Sequence, residues 1–196
     1  MQYLADFTES WRTVQSLDSA KKLILSSNQA FAPTPSLEEL PLQDCRVVLD
    51  FGCGVGRNIS ALLARAPYAR IVAYDFRNMQ ELARQYLGLE KFSKIDWRTP
   101  PPENLRAFTY DFVVADITFQ HIKESELRLI LSILVEQLST NGRLWVSSRW
   151  WSDDNHKSVW EIILDYFCPI TLLDLGAAVD DNHQQVLFRS RAIKPF

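Results

Sequence analysis

The stretch Val47-Val48-Leu49-Asp50-Phe51-Gly52-Cys53-Gly54-Val55-Gly56-Arg57-Asn58 decides the fold. An apolar run ends in a carboxylate, and three glycines follow at alternate positions. Ile59, Leu62, Leu63 and Ala66 then fall at i, i+3, i+4 and i+7. That order predicts a strand, a tight loop and a helix. Glycines at these positions permit positive φ and let a ligand approach the backbone closely. The helix start adds unpaired N–H groups and the positive end of a dipole. The loop is therefore expected to hold a polar, nucleotide-like ligand at the carboxyl end of a strand.

The strands on either side extend the pattern. Arg70 to Tyr74 reads as a second strand and stops at Asp75, 19 residues after Gly56. This is near the spacing of an acid that binds ribose hydroxyls. Two adjacent hydroxyls present two donors to one carboxylate, and charge-assisted bonds fix the sugar. The alternative is that Asp75 caps the following helix, with Asn78 a competitor for that cap. The helix from Arg77 to Leu87 closes at Gly88. Ser93 to Trp97 reads as a third strand, with Asp96-Trp97 in doubtful register at its end. Phe112 to Ala115 is an apolar run typical of a buried parallel strand. A helix over 124–138, an Asn141-Gly142 turn and a strand over Arg143–Ser148 follow. Another helix is marked by Val159, Ile162, Ile163 and Tyr166, and two strands, Ile170–Leu175 and Gln185–Ser190, end the pattern.

The choice of ligand turns on departures from the dinucleotide fingerprint G-x-G-x-x-G. Arg57 stands at its third glycine position, and the last glycine comes one residue early, at Gly56. Asp50 would repel a pyrophosphate and suits a ligand that carries positive charge. The pattern Asp50-x-Gly52-x-Gly54-x-Gly56 resembles the first motif of class I S-adenosylmethionine (SAM)-dependent methyltransferases. The block Tyr110-Asp111-Phe112-Val113-Val114-Ala115-Asp116-Ile117-Thr118-Phe119-Gln120-His121-Ile122 is similar to the fourth-strand segment of that family. With Asp75 it makes three matches in the right order.

The resemblance implies an α/β fold: a three-layer, Rossmann-like, seven-stranded and mostly parallel sheet. It also implies a terminal antiparallel strand pair and an N-terminal helical segment. Residues 1–44 are then a helical cap segment and 45–196 the methyltransferase domain. It implies SAM as cofactor, held by Asp50, Gly52, Cys53, Gly54, Gly56, Asp75, Phe76, Met79, Trp97 and Asp116. Met79 and Trp97 have core packing as their alternative. Asp116 and His121 flank the expected methyl site and are the catalytic candidates, Asp116 also touching the methionine part and His121 serving as a base. Asp116-Ile117-Thr118-Phe119 lacks both prolines of the Asp-Pro-Pro-Tyr carried by amino-group methyltransferases of nucleic acids. Arg149, Trp150 and Trp151 after the fifth strand are candidates for an acceptor wall suited to a planar or anionic small molecule.

Bulk properties set the frame. The chain has 196 residues, which suits one domain. A net charge of −3 argues against binding nucleic acid through its phosphates. Cys45, Cys53 and Cys168 have neither metal-ligand spacing nor a disulfide framework. They are expected to be free thiols of a reducing, cytoplasmic compartment. The first residues form no secretory signal, and no apolar run approaches a membrane span. The acceptor is expected to be a small molecule. A protein or nucleic-acid acceptor and a non-catalytic SAM-binding module are the alternatives.

Overall fold

The computed structural model describes residues 10–23, 33–149, 159–172 and 183–190. Seven strands make one sheet: β1 (Val47–Phe51), β2 (Arg70–Tyr74), β3 (Ile95–Arg98), β4 (Tyr110–Asp116), β5 (Leu138–Arg149), β6 (Phe167–Leu172) and β7 (His183–Ser190). Their spatial order is β3-β2-β1-β4-β5-β7-β6. β1 through β5 pair in parallel, while β7 runs antiparallel to β5 and β6. The order reverses between β1 and β4. In open α/β sheets the ligand crevice lies at such a switch point, beyond the carboxyl ends of the strands.

Helices cover both faces, because the central parallel strands β1, β2 and β4 carry apolar residues on both of their sides. They are α1 (Leu17–Leu23), α2 (Ile59–Arg65), α3 (Arg77–Leu87), the single turn α4 (Leu89–Phe92), α5 (Glu124–Gln137) and α6 (Val159–Tyr166). Alternation along the strands builds two cores. Leu49, Phe51, Val72, Val113, Ala115 and Val146 pack under α5 and α6. Val48, Ile71, Ala73, Val114 and Trp145 pack under α2 and α3. Leu37, Leu40 and Leu42 belong to this second core, so the segment before β1 shares the interior of the sheet domain. Each such leucine, fully buried, contributes about 1.5–3 kcal/mol.

Several element boundaries differ from expectation, β4 and β7 by starting two residues earlier. β3 runs on to Arg98, with Asp96 inside it and paired to Arg98 at 2.9 Å. The Asn141-Gly142 pair falls inside β5, where the pairing with β4 jumps from Tyr110↔Leu138 to Phe112↔Arg143. The extra residues bulge from the ladder, which satisfies the turn chemistry without ending the strand. β6 begins at Phe167, not Ile170, since Phe167 is fully buried against Phe188 of β7. Among the described residues no helix is long and apolar enough to cross a membrane.

Candidate functional site

β1, β2 and β4 end beside one another and bring Asp50, the glycine loop, Asp75 and Asp116 to one edge. The loop is tied down by backbone bonds. The N–H groups of Gly52 and Cys53 donate to the Tyr74 carbonyl at 2.8 and 3.3 Å. The Gly54 N–H donates to Asp75 Oδ2 at 2.7 Å, and the Phe76 N–H donates to Asp75 Oδ1 at 2.7 Å. Asp75 thus fixes the loop while keeping lone pairs for a further donor. Burial pushes its carboxyl up to about 6 against the lowering effect of those two N–H donors.

The three glycines have three different duties. Gly52 has φ 71°, and a Cβ there would collide with the Thr118 side chain. Ile117 adopts φ 54°, a costly conformation for a β-branched residue, and so returns Thr118 toward Gly52. Gly56 has φ 81°, and its Cβ would press on Leu87 of α3 and Ile59 of α2. Only Gly54, at φ 56°, faces open space. Gly52 and Gly56 are therefore glycines that the packing requires, whatever the loop binds. Cys53 lies between Gly52 and Gly54. Its thiol is buried in the core under α2, and burial raises it well above the ordinary range.

Two more candidates have packing partners within the fold. Met79 is wholly buried with Val14, Ala20, Val55 and Leu82, in the apolar seam between α3 and the N-terminal segment. Trp97 stacks on Phe92 at 4.6 Å and donates its ring N–H to the Phe92 carbonyl at 3.0 Å. Its indole is half-buried beside the core under α2 and α3. Phe76 stays half-buried, with the Arg12 guanidinium 5.0 Å from its ring centroid. Asn78 does not cap α3. Its side-chain amide donates to the carbonyls of Trp11 and Val14, both at 2.9 Å, and pins the N-terminal segment there.

Asp50 and Asp116 lie on the same face, one on β1 and one on β4. Asp50 is 1% exposed, and its Oδ2 has no hydrogen-bond partner. Burial, with the neighbouring Asp116 charge, pushes its carboxyl up to about 8. One oxygen of Asp116 is surrounded by donors, while its Oδ1, like Asp50 Oδ2, has no partner. Its Oδ2 accepts from Thr34 Oγ1 at 2.5 Å, from Asn58 Nδ2 at 3.0 Å and from the Arg57 guanidinium. Burial alone would raise it, but Arg57, Thr34, Asn58 and Ser147 hold it below the usual carboxylate range. Thr34 also donates its backbone N–H to Asn58 Oδ1 at 3.0 Å. The sequence singled out neither Thr34 nor Asn58. Arg57 stood out only as a missing glycine. Its position directly after the loop was the available signal.

His121 lies just beyond β4 in the short 3-10 turn Phe119–His121. Its Nε2 is 3.2 Å from the Gln120 side-chain amide, and Ser148 Oγ donates to Gln120 Oε1 at 3.1 Å. Trp150 and Trp151 lie outside the described residues.

A parallel sheet of order 3-2-1-4-5 with an antiparallel 7-6 end, and an acid-led glycine loop at its switch point, defines a class I methyltransferase fold. Residues 49–144 match the family model described as a methyltransferase domain. The trans-aconitate 2-methyltransferase of Azoarcus sp. strain BH72 is 29% identical over 128 residues, 65% of this chain and 48% of that protein. The enzyme of the same name from Rhodopseudomonas palustris strain BisB5 is 32% identical, over 56% of this chain and 41% of that protein. The chain thus spans about half the length of these curated relatives. The crystal structure of the N-methyltransferase NodS from Bradyrhizobium japonicum WM9, in complex with S-adenosyl-L-homocysteine, superposes with a TM-score of 0.70. It is 16% identical, and the match covers 96% of this chain and 99% of that one, a likeness of fold.

The residues at the edge fit SAM. Asp50 presents a buried acceptor oxygen without a donor, Gly54 opens on free space, and Asp75 retains lone pairs at the end of β2.

Proposed function

We propose that this chain is a SAM-dependent methyltransferase acting on a small-molecule acceptor. The observation that carries the reading is Asp50 Oδ2, buried at the head of the glycine loop without a partner. A cationic group brought to this edge supplies the missing charge, and SAM carries both an ammonium and a sulfonium. Asp75 accepts the ribose hydroxyls, Gly54 gives the backbone room, and Phe76 lies toward the adenine. When bound, SAM supplies a methyl already activated on sulfur, so the acceptor's lone pair makes the new bond as the carbon–sulfur bond breaks onto sulfur.

The protein's task is then alignment and exclusion of water. Residues 1–44 act as the cap, pinned by Asn78 near the end of β2 and by Thr34 at the end of β4. Asp116, held ionised by Arg57, Thr34 and Asn58, is too weak a base to take a proton. It holds Arg57 and Thr34 in place and touches the methionine end of the cofactor. His121 takes the acceptor's proton where the acceptor arrives protonated. The printed names of the relatives, trans-aconitate 2-methyltransferases, support a small and anionic acceptor. The net charge of −3 supports a partner other than nucleic acid, and the three free cysteines support a cytoplasmic location.

Transfer of a labelled methyl from SAM into a size-fractionated cell extract tests the reading. Label in the small-molecule fraction is expected. Label confined to protein or RNA moves the acceptor to that class. SAM binding with no labelled product makes the chain a binding module.

A further inference from the structure

Three side chains form a row beyond the cofactor half of the edge. Asp116 of β4 pairs with Ser147 of β5, and Ser147 pairs with Gln185 of β7. They stand in register on the face that carries α2 and α3, about 4.8 Å from strand to strand. All three are buried: Asp116 is 8% exposed, Ser147 0% and Gln185 3%. Ser147 bonds to the Asp116 carboxylate. Gln185 Oε1 has no partner. A buried acceptor left unsatisfied costs about 1–3 kcal/mol, so a fold keeps one where something else bonds to it.

The position says what that is. Asp50, Gly54 and Asp75 assign the β1–β2 end of the edge to the cofactor. The β4–β5–β7 end is what remains for the acceptor. We propose that Gln185 is a specificity-determining residue that accepts a hydrogen bond from a hydroxyl or N–H group of the methyl acceptor, beside Ser147. This rests on the methyltransferase reading above and names which chemistry that reading's acceptor must carry. A carboxylate cannot supply the donor, so an anionic acceptor meets this position with a second, donating group. The reach is fixed by the sheet. Two strand spacings put Gln185 about 10 Å from Asp116, so the group read here is separate from the atom that takes the methyl.

The test uses the full chain, labelled SAM and the small-molecule fraction of a cell extract, with products separated by mass spectrometry. Gln185→Met keeps the volume and removes the acceptor oxygen, while Gln185→Glu keeps an oxygen there. Calorimetry with SAM and a melting curve accompany each variant. The expected result for Gln185→Met is a loss of about tenfold in kcat/KM for the wild-type product, carried mainly by KM. Its SAM affinity should stay within about twofold of wild type, and Gln185→Glu should recover part of the loss. Unchanged turnover in Gln185→Met overturns the proposal. A parallel loss of SAM affinity and melting temperature in both variants also overturns it, because Gln185 is then a structural residue. If the wild-type chain fails to bind SAM, the methyltransferase reading falls, and this inference with it. If it binds SAM and methylates only macromolecules, the small-molecule site at Gln185 is overturned while the cofactor assignment stands.

Discussion

The ends of β1 and β4 each carry one buried carboxylate on the same face of the sheet, and the two are treated oppositely. Asp116 is met by Arg57, Thr34, Asn58 and Ser147, and is held below the usual range. Each keeps one buried oxygen without a partner, Asp50 Oδ2 and Asp116 Oδ1, but Asp50 is pushed up to about 8. The Arg57 ion pair holds one carboxylate ionised within the fold. The other keeps its proton until a cation is brought to it. The comparison separates a structural half of the edge from a ligand half more sharply than the motifs do, since both carboxylates belong to recognisable motifs.

The largest expected effect breaks the structural half. Arg57→Ala removes the guanidinium and leaves the Asp116 charge buried. Breaking a buried pair from one side is costly. Arg57 is one-fifth exposed and Thr34 and Asn58 remain, so we expect a loss of about 2–3 kcal/mol. Urea unfolding measures it, and an unchanged midpoint would show that Asp116 is not held by Arg57.

Asp75→Ala strikes the ligand half. Losing charge-assisted bonds to the ribose should cost about 1.5–3 kcal/mol of SAM binding, roughly tenfold to a hundredfold in affinity. Because Asp75 also accepts from Gly54 and Phe76, the variant should lose some loop order as well. Asp75→Asn, which keeps an acceptor oxygen for one of those N–H groups, should retain more of the loop. Normal SAM affinity in Asp75→Ala would reduce Asp75 to a loop brace.

Asp50→Asn should act in the reverse direction on stability. The Asp50 pKa is raised on folding, from near 4 to about 8. The folded chain therefore holds this proton more tightly than the unfolded one. Its contribution is full below pH 4 and is lost as pH rises from 4 to 8, by at most about 1.4 kcal/mol per pH unit. Asn has no proton to lose. The melting temperature of Asp50→Asn should rise above wild type by a margin that widens from pH 5 to pH 8, while SAM affinity falls. A constant margin would mean that Asp50 does not titrate in that window.

The smallest effect concerns Met79. A volume-conserving Met79→Leu change in a core usually costs under about 1.5 kcal/mol, and SAM affinity should not move. A clear loss of SAM binding at constant stability would return Met79 to the cofactor site.

Much of this was legible in the sequence. The succession of strands and helices along the chain follows from alternating periods, the sheet architecture from the family resemblance, and the loop and Asp75 from spacing along one connected unit. Met79 and Trp97 were not separable from cofactor contacts, because an apolar residue after a strand end looks the same whether it meets adenine or a neighbouring helix. Thr34, Asn58 and Ser147 were invisible for another reason. Each is an ordinary polar residue in its own segment, and only the crossover of β1 to β4 brings them to Asp116, 82 residues from Thr34 in the chain. Gln185 was hidden by an alternating strand in which nothing marks one polar residue as buried.

The central claim is that the Asp50 carboxylate is kept for a cationic cofactor. Calorimetry of SAM binding at pH 7, repeated in buffers of different ionisation enthalpy, tests it directly. At that pH the free protein holds the Asp50 proton, and binding should drive it off. Wild type should release close to one proton more than Asp50→Asn and bind SAM more tightly. Equal proton release and equal affinity in the two proteins would contradict the account.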